Sequence, residues 1–514
     1  MKPHHFPKKL TAIAAACLVV AHAVTAADRP NILFLFSDDH APQSISAYGS
    51  KINQTPNIDR LADEGIIFRN SFCANSICAP SRANILTGKH SHLNGQRDNR
   101  DTFDGSQVTF PQILQAAGYH TTIFGKWHLR SDPTGFDEWM VYPGQGHYYN
   151  PDYRTPEGTK RITGYSVDVT AGLALDFLKR RPTDQPFMLM CQFKAPHRQW
   201  LPGPKYHHLY ADEEIPEPET LFDDYQGRTS SAAKHEMGID EHMVMTFDLM
   251  VPSEGTFDWK RMNAAQKELW KSTYDARNKA TQPENLTGKE LVRWKYQRYI
   301  KDYLRCVAAV DENIGHILDY LSESGLDKNT IVIYSSDQGF YLGEHGWFDK
   351  RWMYEESLRM PLIMRWPGTI QPGSEVTELV QNIDYAPTLI EIANAAVPGE
   401  IQGKSLLPFL KNEPADDWRD SIYYHYYEHG FHGVPRHEGV RNARYKLIHF
   451  YHTNEWELFD LEKDPSEMKS QFDNPEYAEV RKNLEIELQR LRQNYDVTEP
   501  VSMLNSSRAP RSVK

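Results

Sequence analysis

Residues 31–37 read NILFLFS and run directly into Asp38-Asp39. A continuous apolar run of this length, without alternation, is typical of a strand that is covered on both faces of a parallel sheet. A second run of the same kind, TIVIYSS over Thr330–Ser336, leads into Asp337-Gln338-Gly339. Both acidic pairs therefore follow predicted strands directly.

Helical patterns surround these two predicted strands. Thr55-Pro56 has the form of an N-cap and first helical residue, and predicts a helix through Leu61 that ends before Gly65. Apolar residues recur at helical spacing over residues 303–321. Strands alternating with helices predict an α/β fold with a mostly parallel sheet flanked by helices. Ligands of such sheets bind at the carboxyl ends of the strands, where both acidic pairs fall.

The pattern changes after residue 403. Three short strands and a charged helix over residues 476–494 indicate a smaller α+β domain with an antiparallel sheet; the strands are expected at Ser421–Tyr427, Gly439–Tyr451 and Glu457–Leu461. With 514 residues the chain has room for two domains. We predict a catalytic domain over residues 28–402, which contains a polar surface insertion at about residues 210–287, and a C-terminal domain over residues 403–514.

The N-terminus has the composition of a targeting segment. Lysines at positions 2, 8 and 9 precede an apolar stretch over residues 10–24 and small residues at 25–27. This order predicts a signal peptide over residues 1–27 and export to the periplasm or outside the cell. The apolar stretch is short for a membrane span, so no anchoring is expected. Cys17 lies inside it with Ala14 where a lipobox usually has Leu, which favours cleavage over lipid attachment.

Composition excludes several classes of protein. The 69 acidic and 57 basic residues give a formal charge of −12, which argues against a nucleic-acid partner. An anionic substrate would therefore need a local basic pocket. The whole chain has five cysteines, few for an exported protein of this size, so disulfides are not expected to hold the fold together. A Cys73–Cys78 pair nevertheless remains an alternative for the segment described next.

The segment Ile77-Cys78-Ala79-Pro80-Ser81-Arg82, followed by Thr87-Gly88, has the form C-x-P-S-R…T-G. It resembles the signature of type I sulfatases, in which this cysteine is oxidised to formylglycine (3-oxoalanine). Because Pro80 suits the first turn of a helix, we expect Cys78 at a helix N-terminus, where backbone N–H groups favour an anion. The resemblance implies an alkaline-phosphatase-like fold and sulfate-ester hydrolysis.

Sulfate-ester hydrolysis requires that the charge on the peripheral sulfate oxygens be neutralised. A hard divalent cation with oxygen ligands does this well. Asp38, Asp39, Asp337 and Gln338 offer three carboxylates and an amide carbonyl, and many sulfatases have Asn or His where Gln338 stands. With modified Cys78 they are the predicted ligands of one Ca²⁺.

The resemblance also implies how the nucleophile works. Hydrated formylglycine is a geminal diol, of which one oxygen can attack sulfur and the other can expel sulfate by reforming the aldehyde. Arg82 lies four residues after Cys78, and we expect it to turn back towards the nucleophile or the metal ligands. A formylglycine-generating enzyme or an anaerobic sulfatase-maturating enzyme would be needed as a partner.

Three further segments resemble sulfatase motifs: Gly125-Lys126-Trp127-His128, Ala195-Pro196-His197 and Phe348-Asp349-Lys350. By resemblance, Lys126 contacts sulfate and His128 takes the proton of the second hydroxyl. His197 and Lys350 would bind sulfate oxygens and protonate the leaving alcohol. We expect Lys126 and His128 on an extended segment, where positions i and i+2 share a face.

The combination of Asp337-Gln338 with residues 345–351 (HGWFDKR) most resembles bacterial carbohydrate sulfatases, among them N-acetylglucosamine-6-sulfatases that act on heparan-type or mucin-type chains. A sulfated carbohydrate is therefore the expected substrate, and algal polysaccharide sulfates remain open. Two alternatives stand beside this hypothesis. One is a phosphoester or phosphonate hydrolase with the same apparatus, and the other is a catalytically silent glycan-binding homologue.

The substrate contacts are not legible from sequence. Polar and aromatic residues near the motifs could line a cleft and stack on sugar rings, but for each of them an ordinary surface or core position is the favoured interpretation. They are Arg97, Asn99, Arg100, His147, Tyr148, Tyr149, His345, Trp347, Arg351, Trp352, Arg436 and His437.

Overall fold

The computed structural model describes Met1 and residues 29–498. The predicted signal peptide, apart from Met1, and the last part of the predicted C-terminal domain lie outside the described residues. No helix among the described residues combines the length and the apolar composition that crossing a membrane requires.

Strands and helices alternate over most of the described chain. The strands are β1 Asn31–Ser37, β2 Ile66–Phe68, β3 Ser71–Phe72, β4 His120–Gly125, β5 Glu138–Val141, β6 Asp152–Thr155, β7 Gly158–Arg161, β8 Phe187–Gln192, β9 Thr330–Ser336, β10 Tyr341–Leu342, β11 Phe348–Asp349, β12 Leu362–Arg365, β13 Ser374–Val376, β14 Val380–Gln381, β15 Ser421–Tyr426, β16 His437–Asn442, β17 Tyr445–Phe450 and β18 Glu455–Asp460. The α-helices are α1 Pro56–Asp63, α2 Cys78–Thr87, α3 Ser91–Asn94, α4 Phe110–Ala116, α5 Ser166–Arg180, α6 Ser230–Ala233, α7 Ala264–Thr281, α8 Gly288–Glu323, α9 Glu355–Leu358, α10 Tyr385–Ile392, α11 Leu407–Leu410 and α12 Ala478–Asn494.

The main sheet has ten strands in the order β13-β2-β12-β9-β1-β8-β4-β5-β6-β7. Its five central strands, β9-β1-β8-β4-β5, run parallel. The antiparallel pairs lie towards the edges, where β12 joins β9 and β2, and where β6 joins β5 and β7. The predicted mostly parallel sheet is confirmed.

The register of the central strands explains how the two acidic pairs come together. Ser37 at the end of β1 lies opposite Ser336 at the end of β9. Asp38 and Asp337, the next residues along the chain, therefore leave the sheet at the same edge. The predicted bounds of both strands match the observed ones.

The sheet is covered on both faces, which is why β1 lacks the alternation of a half-exposed strand. Ile32, Phe34 and Phe36 belong to a buried core that also contains residues of α2, α4 and α10. Leu33 and Leu35 belong to a second core with residues of α1, α5 and α8. The predicted helix at residues 56–61 is observed as α1, and the apolar residues at 303–321 lie within the longer α8.

A four-stranded antiparallel sheet, β15-β16-β17-β18, follows in the C-terminal part. The stretch predicted as one strand over Gly439–Tyr451 forms parts of β16 and β17, which turn back on each other between Asn442 and Tyr445. Helix α12 packs Leu484, Leu488 and Leu491 into the core on this sheet. The predicted α+β character of this part is confirmed.

The region predicted as a polar surface insertion contains more structure than its composition indicates. It includes α7, an 18-residue helix that buries Trp270 and Tyr274. These are the two fully buried positions among many charged ones, so the helix shows little amphipathic pattern in the sequence. The segment before α7 places Phe247, Phe257 and Asp258 on the wall of a cavity described below.

Candidate active site

Four predicted metal-site residues meet at the carboxyl edge of the central strands. Asp38, Asp39, Cys78 and Asp337 each offer a ligand atom, and these atoms all lie within 4.8 Å of one another. All four residues are buried. The backbone N–H of Asp39 donates to Asp337 Oδ1 at 3.1 Å, which ties the two strand ends together.

Cys78 is the first residue of α2, as predicted, and is 1% exposed. Burial raises the pKa of its thiol to about 12, so an unmodified Cys78 is protonated and a weak nucleophile at neutral pH. Cys73 and Cys78 are both free thiols in the structure, so the alternative Cys73–Cys78 disulfide is not formed.

Arg82 turns back towards the carboxylates, as expected from its spacing. Its Nε and Nη2 donate to Asp337 Oδ2 at 3.1 and 3.0 Å, and Nη2 also approaches Asp38 Oδ1 at 3.4 Å. Nη1 donates to the backbone carbonyl of Lys126 at 2.9 Å. The guanidinium lies 5.1 Å from the Phe36 ring centroid and is 4% exposed. Arg82 thus fixes two of the carboxylates and the loop that carries Lys126.

Gln338 completes the set of oxygen donors. It is fully buried, its Nε2 donates to Asp39 Oδ1, and its Oε1 has no hydrogen-bond partner among the described residues. A buried carbonyl oxygen without a donor is costly unless a cation or a water satisfies it. Three carboxylates and this carbonyl fit a hard divalent cation such as Ca²⁺.

The ionisation of the three carboxyl groups reflects their crowding. Burial alone would raise the pKa of Asp38, but the positive charge of Lys126 and other cationic neighbours hold it well below its ordinary value. Burial raises the pKa of Asp39, although Lys350 opposes this. Burial and the charge of Asp38 raise the pKa of Asp337 to about 7. A divalent cation would favour full ionisation of all three.

Lys126 and Lys350 approach the carboxylates from two sides. Lys126 is fully buried and pairs with Asp38. Lys350 Nζ lies 2.6 and 2.5 Å from the two carboxylate oxygens of Asp39. The expected extended segment for Lys126 and His128 is wrong: β4 ends at Gly125, and His128 has a positive φ of 58°. The loop, rather than strand periodicity, brings both side chains to the site.

His128 and His197 are the two predicted histidines of the site. Burial lowers the pKa of each well below its ordinary value, so both imidazoles are neutral at pH 7. His197 Nε2 lies 3.8 Å from Asp39 Oδ2, and His128 Nδ1 has no hydrogen-bond partner among the described residues. Both can therefore exchange protons with a bound ligand.

A cavity of about 420 Å³ opens above this group. Cys78, His128, His197 and Lys350 line it, while the carboxylates lie beneath. Three of the candidate substrate contacts also line it: Asn99, Tyr148 and Arg351. The other candidates do not line it, namely Arg97, Arg100, His147, Tyr149, His345, Trp347, Trp352, Arg436 and His437.

Several of the excluded candidates belong to the core instead. Trp347 and Trp352 are fully buried, with ring centroids 5.1 Å apart in a stacked pair. His345 is fully buried, and its Nδ1 lies 3.0 Å from Asp223 Oδ2. Aromatic residues beside a catalytic motif serve either as packing partners or as ligand contacts, and their burial decides between the two.

Further residues of the cavity were not identified from the sequence. They are Arg130, Gln145, Gly146, Lys194, Arg198, Gln199, Leu201, Phe247, Phe257, Asp258, Asp349, Phe431 and His432. Asp349 Oδ1 lies 2.7 Å from Arg351 Nη1, and Asp349 Oδ2 lies 3.1 Å from His432 Nε2. Asp349 lies within the Phe348-Asp349-Lys350 motif and Lys194 directly precedes the Ala195-Pro196-His197 motif. Phe431 and His432 come from the C-terminal part, and no local signal links them to the motifs.

Comparison with known proteins agrees with this geometry. A family model described as Sulfatase matches residues 30–395, and one described as N-sulphoglucosamine sulphohydrolase, C-terminal, matches residues 343–494. An N-acetylglucosamine-6-O-sulfatase of Bacteroides thetaiotaomicron is 47% identical to this chain, over 92% of this chain and 88% of that protein.

Solved structures share the fold. One, determined in complex with its substrate D-glucosamine-2-N,6-O-disulfate, has a TM-score of 0.89 and 46% identity and covers 92% of this chain and 99% of that chain. A phosphonate monoester hydrolase from Silicibacter pomeroyi has a TM-score of 0.69 and 22% identity over 91% and 96% of the two chains, which is a likeness of fold. The expected alkaline-phosphatase-like fold is thereby confirmed, and the chain belongs to the sulfatase family of sulfuric ester hydrolases.

Proposed function

We propose that this sulfatase hydrolyses the 6-O-sulfate ester of glucosamine units, N-acetylated or N-sulfated, in heparan-type or mucin-type glycans and releases inorganic sulfate. The observation that carries the proposal is the position of Cys78. It lies at the N-terminus of α2, within 4.8 Å of three carboxylates, at the floor of a cavity with basic walls. The sugar is supported by the 47% identical N-acetylglucosamine-6-O-sulfatase and by the similar structure with bound glucosamine disulfate.

Cys78 is the proposed position of formylglycine, made by a formylglycine-generating or an anaerobic sulfatase-maturating enzyme. Asp38, Asp39, Asp337 and Gln338 would hold one Ca²⁺. When present, the hydrated aldehyde supplies an oxygen nucleophile, and the cation neutralises negative charge on it and on the sulfate.

The two buried lysines next to the carboxylates, Lys126 and Lys350, would bind and orient the sulfate. Lys126 and Lys350 are buried, so their charges are weakly screened and act strongly on peripheral sulfate oxygens. The N-terminus of α2 adds partial positive charge from the same direction as Cys78, although the Ala79 N–H there already donates to Asn99 Oδ1 at 3.0 Å. Arg82 positions Asp337, and through the carbonyl of Lys126 it also positions the loop that carries that lysine.

Proton transfer is assigned to the histidines and Lys350. A neutral His128 can accept a proton from a hydroxyl at position 78, and its pKa, lowered by burial, leaves it in the accepting form at pH 7. His197 and Lys350 face the same cavity and would assist the departing sugar oxygen, which is a poor leaving group without a proton.

We also propose that residues 1–27 direct export and are removed, and that the chain divides into domains near residue 403. The contribution of Phe431 and His432 to the cavity supports a role for the C-terminal domain in substrate binding. Export to the periplasm or the medium would place the enzyme where extended glycans are accessible.

The test is sulfate release by enzyme co-expressed with a maturating enzyme. We expect release from N-acetylglucosamine 6-sulfate, and none from the 3-sulfate or from the Cys78→Ala variant. Phenyl phosphate and phenylphosphonate esters serve as control substrates. A preference for either ester, or no release from any 6-sulfated glucosamine, would overturn the proposal.

A further inference from the structure

Lys194 lies at the centre of the carboxyl edge of the sheet, two residues after β8. Hydrogen bonds fix the backbone around it: Phe193 N donates to Phe36 O at 2.8 Å, and His197 N donates to Lys194 O at 3.1 Å. The side chain lines the cavity, and its Nζ lies 5.0 Å from the Tyr148 ring centroid. The position of this amine is therefore well defined.

The ammonium group of Lys194 has no direct ionic partner among the described residues to compensate for its burial, and the carboxylates of Asp38, Asp258 and Asp39 act on it only from a longer range. The residue is 5% exposed, and its hydrogen bond runs to the backbone carbonyl of Gln145 at 3.2 Å. No carboxylate of the described residues lies within salt-bridge distance of its Nζ. The nearby Asp258 is engaged elsewhere: it accepts from His147 Nδ1 at 2.6 Å and from the Tyr148 and Tyr149 N–H groups at 2.7 and 2.9 Å.

The other buried cations at the site each have a carboxylate. Lys126 pairs with Asp38, and Lys350 pairs with Asp39; further up the cavity wall, Arg198 pairs with Asp248 and Arg351 with Asp349. A buried cation without a counter-ion is strongly unfavourable, and one retained in a substrate cavity points to an anion supplied by the substrate. Burial lowers the pKa of Lys194 to about 8, which still leaves the amine mainly protonated at pH 7.

We infer that Lys194 binds a second anionic group of the substrate, distinct from the sulfate that is hydrolysed. The inference rests on the proposed function, since it concerns the same cavity. The hydrolysed sulfate already has Lys350 on the cavity lining and the fully buried Lys126, paired with Asp38, close by, whereas Lys194 is held towards the wall by Gln145 and Tyr148. The group is a sulfamate on the same sugar or a carboxylate on a neighbouring uronic acid, and either supplies the anionic oxygen that the ammonium lacks.

The experiment compares matured wild type, Lys194→Met and Lys194→Arg on three substrates. These are N-acetylglucosamine 6-sulfate, glucosamine 2-N,6-O-disulfate, and a disaccharide of N-acetylglucosamine 6-sulfate with a uronic acid. Lys328→Met is the matched control. It removes the same charge from an exposed position just before β9 begins, whereas the site lies where β9 ends. Methionine keeps the length of lysine without the charge, so we expect Lys194→Met to fold; circular dichroism checks this.

For Lys194→Met we expect kcat/KM to fall roughly 10- to 100-fold on substrates with the second anion, mainly through KM, and less than about threefold on N-acetylglucosamine 6-sulfate. Lys194→Arg should retain part of the preference for substrates that carry the second anion. A loss on the disulfate alone identifies the sulfamate, and a loss on the uronic-acid disaccharide alone identifies the carboxylate. Equal losses on all three substrates, or no loss on any, would overturn the inference. Failure of wild type on every 6-sulfated substrate would instead refute the proposed function.

Discussion

Replacing Arg82 with Met tests how the site keeps its carboxylates ready for a metal. The substitution retains a long side chain against Phe36 but removes the two hydrogen bonds to Asp337 Oδ2, at 3.1 and 3.0 Å. The cationic neighbour Arg82 lowers the pKa of Asp337, which burial and Asp38 raise to about 7. Loss of the guanidinium must therefore raise that pKa further.

The size of the effect follows from this pKa. An adjacent guanidinium lowers a carboxyl pKa by about 1 to 3, and a middle value places the pKa of Asp337 in the variant at about 9. At pH 7 its ionised fraction then falls from about one half to about one in a hundred. Because a metal ligand must be deprotonated, Ca²⁺ affinity should fall roughly 50-fold, or about 2.3 kcal/mol. At pH 9 the deficit should shrink to about twofold, since about half of the Asp337 carboxyl groups then ionise without help.

Isothermal titration calorimetry with Ca²⁺ on matured protein measures the loss of Ca²⁺ affinity at pH 7 and at pH 9. Arg490→Met is the matched control, because it removes an arginine from an exposed ion pair with Glu487 on α12. Circular dichroism establishes that each variant is folded. Affinity equal to wild type at pH 7, or a deficit that is the same at both pH values, would refute the reasoning.

Three further predictions concern the nucleophile Cys78, the cavity residue Lys350, and the ion pairs that Glu355 makes with the C-terminal sheet. Cys78→Ala should abolish sulfate release without changing the circular dichroism spectrum; residual turnover would exclude Cys78 as the nucleophile. Lys350→Met should lower kcat about 10²- to 10⁴-fold, whereas the exposed Lys205→Met should not, and equal rates would remove Lys350 from the chemistry. Glu355, whose side chain is 12% exposed, lies between Arg441 and Lys446; desolvation alone would raise its pKa, but these charges hold it well below the ordinary value. The contribution of ionised Glu355 to the stability of the fold is therefore complete above its pKa in the unfolded chain, roughly 4.3. It is lost as the pH falls through the lower pKa that Glu355 has in the folded protein. In urea denaturation, Glu355→Gln should reduce stability by about 3–5 kcal/mol at pH 7 and flatten the acid limb below about pH 4. An unchanged acid limb would contradict this.

The sequence was most informative where one local pattern determines the structure. The apolar runs before Asp38 and Asp337 predicted β1 and β9 with their observed bounds, and the parallel order then brought the two acidic pairs together. Pro80 likewise predicted that Cys78 begins a helix. In each case the signal and the structure it specifies lie within a few residues of each other.

The remainder of the site depends on contacts between distant segments. Phe431 and His432 reach the cavity from the C-terminal part, and Asp258 reaches it from the insertion. The expectation for Lys126 and His128 failed because β4 ends at Gly125 and the chain then adopts a left-handed conformation at His128. Trp347 and Trp352 were candidates for sugar stacking, but long-range packing buries them. Burial of this kind is a tertiary property that spacing does not reveal.

The state of residue 78 in active enzyme is the most direct test of the proposed chemistry. Trypsin should release the peptide Asn70–Arg82, which contains both Cys73 and Cys78. Mass spectrometry of protein from a maturation-competent host should show that position 78 has lost sulfur and two hydrogens and gained one oxygen, while Cys73 remains an alkylatable thiol. An active preparation in which Cys78 is an intact thiol would contradict the account.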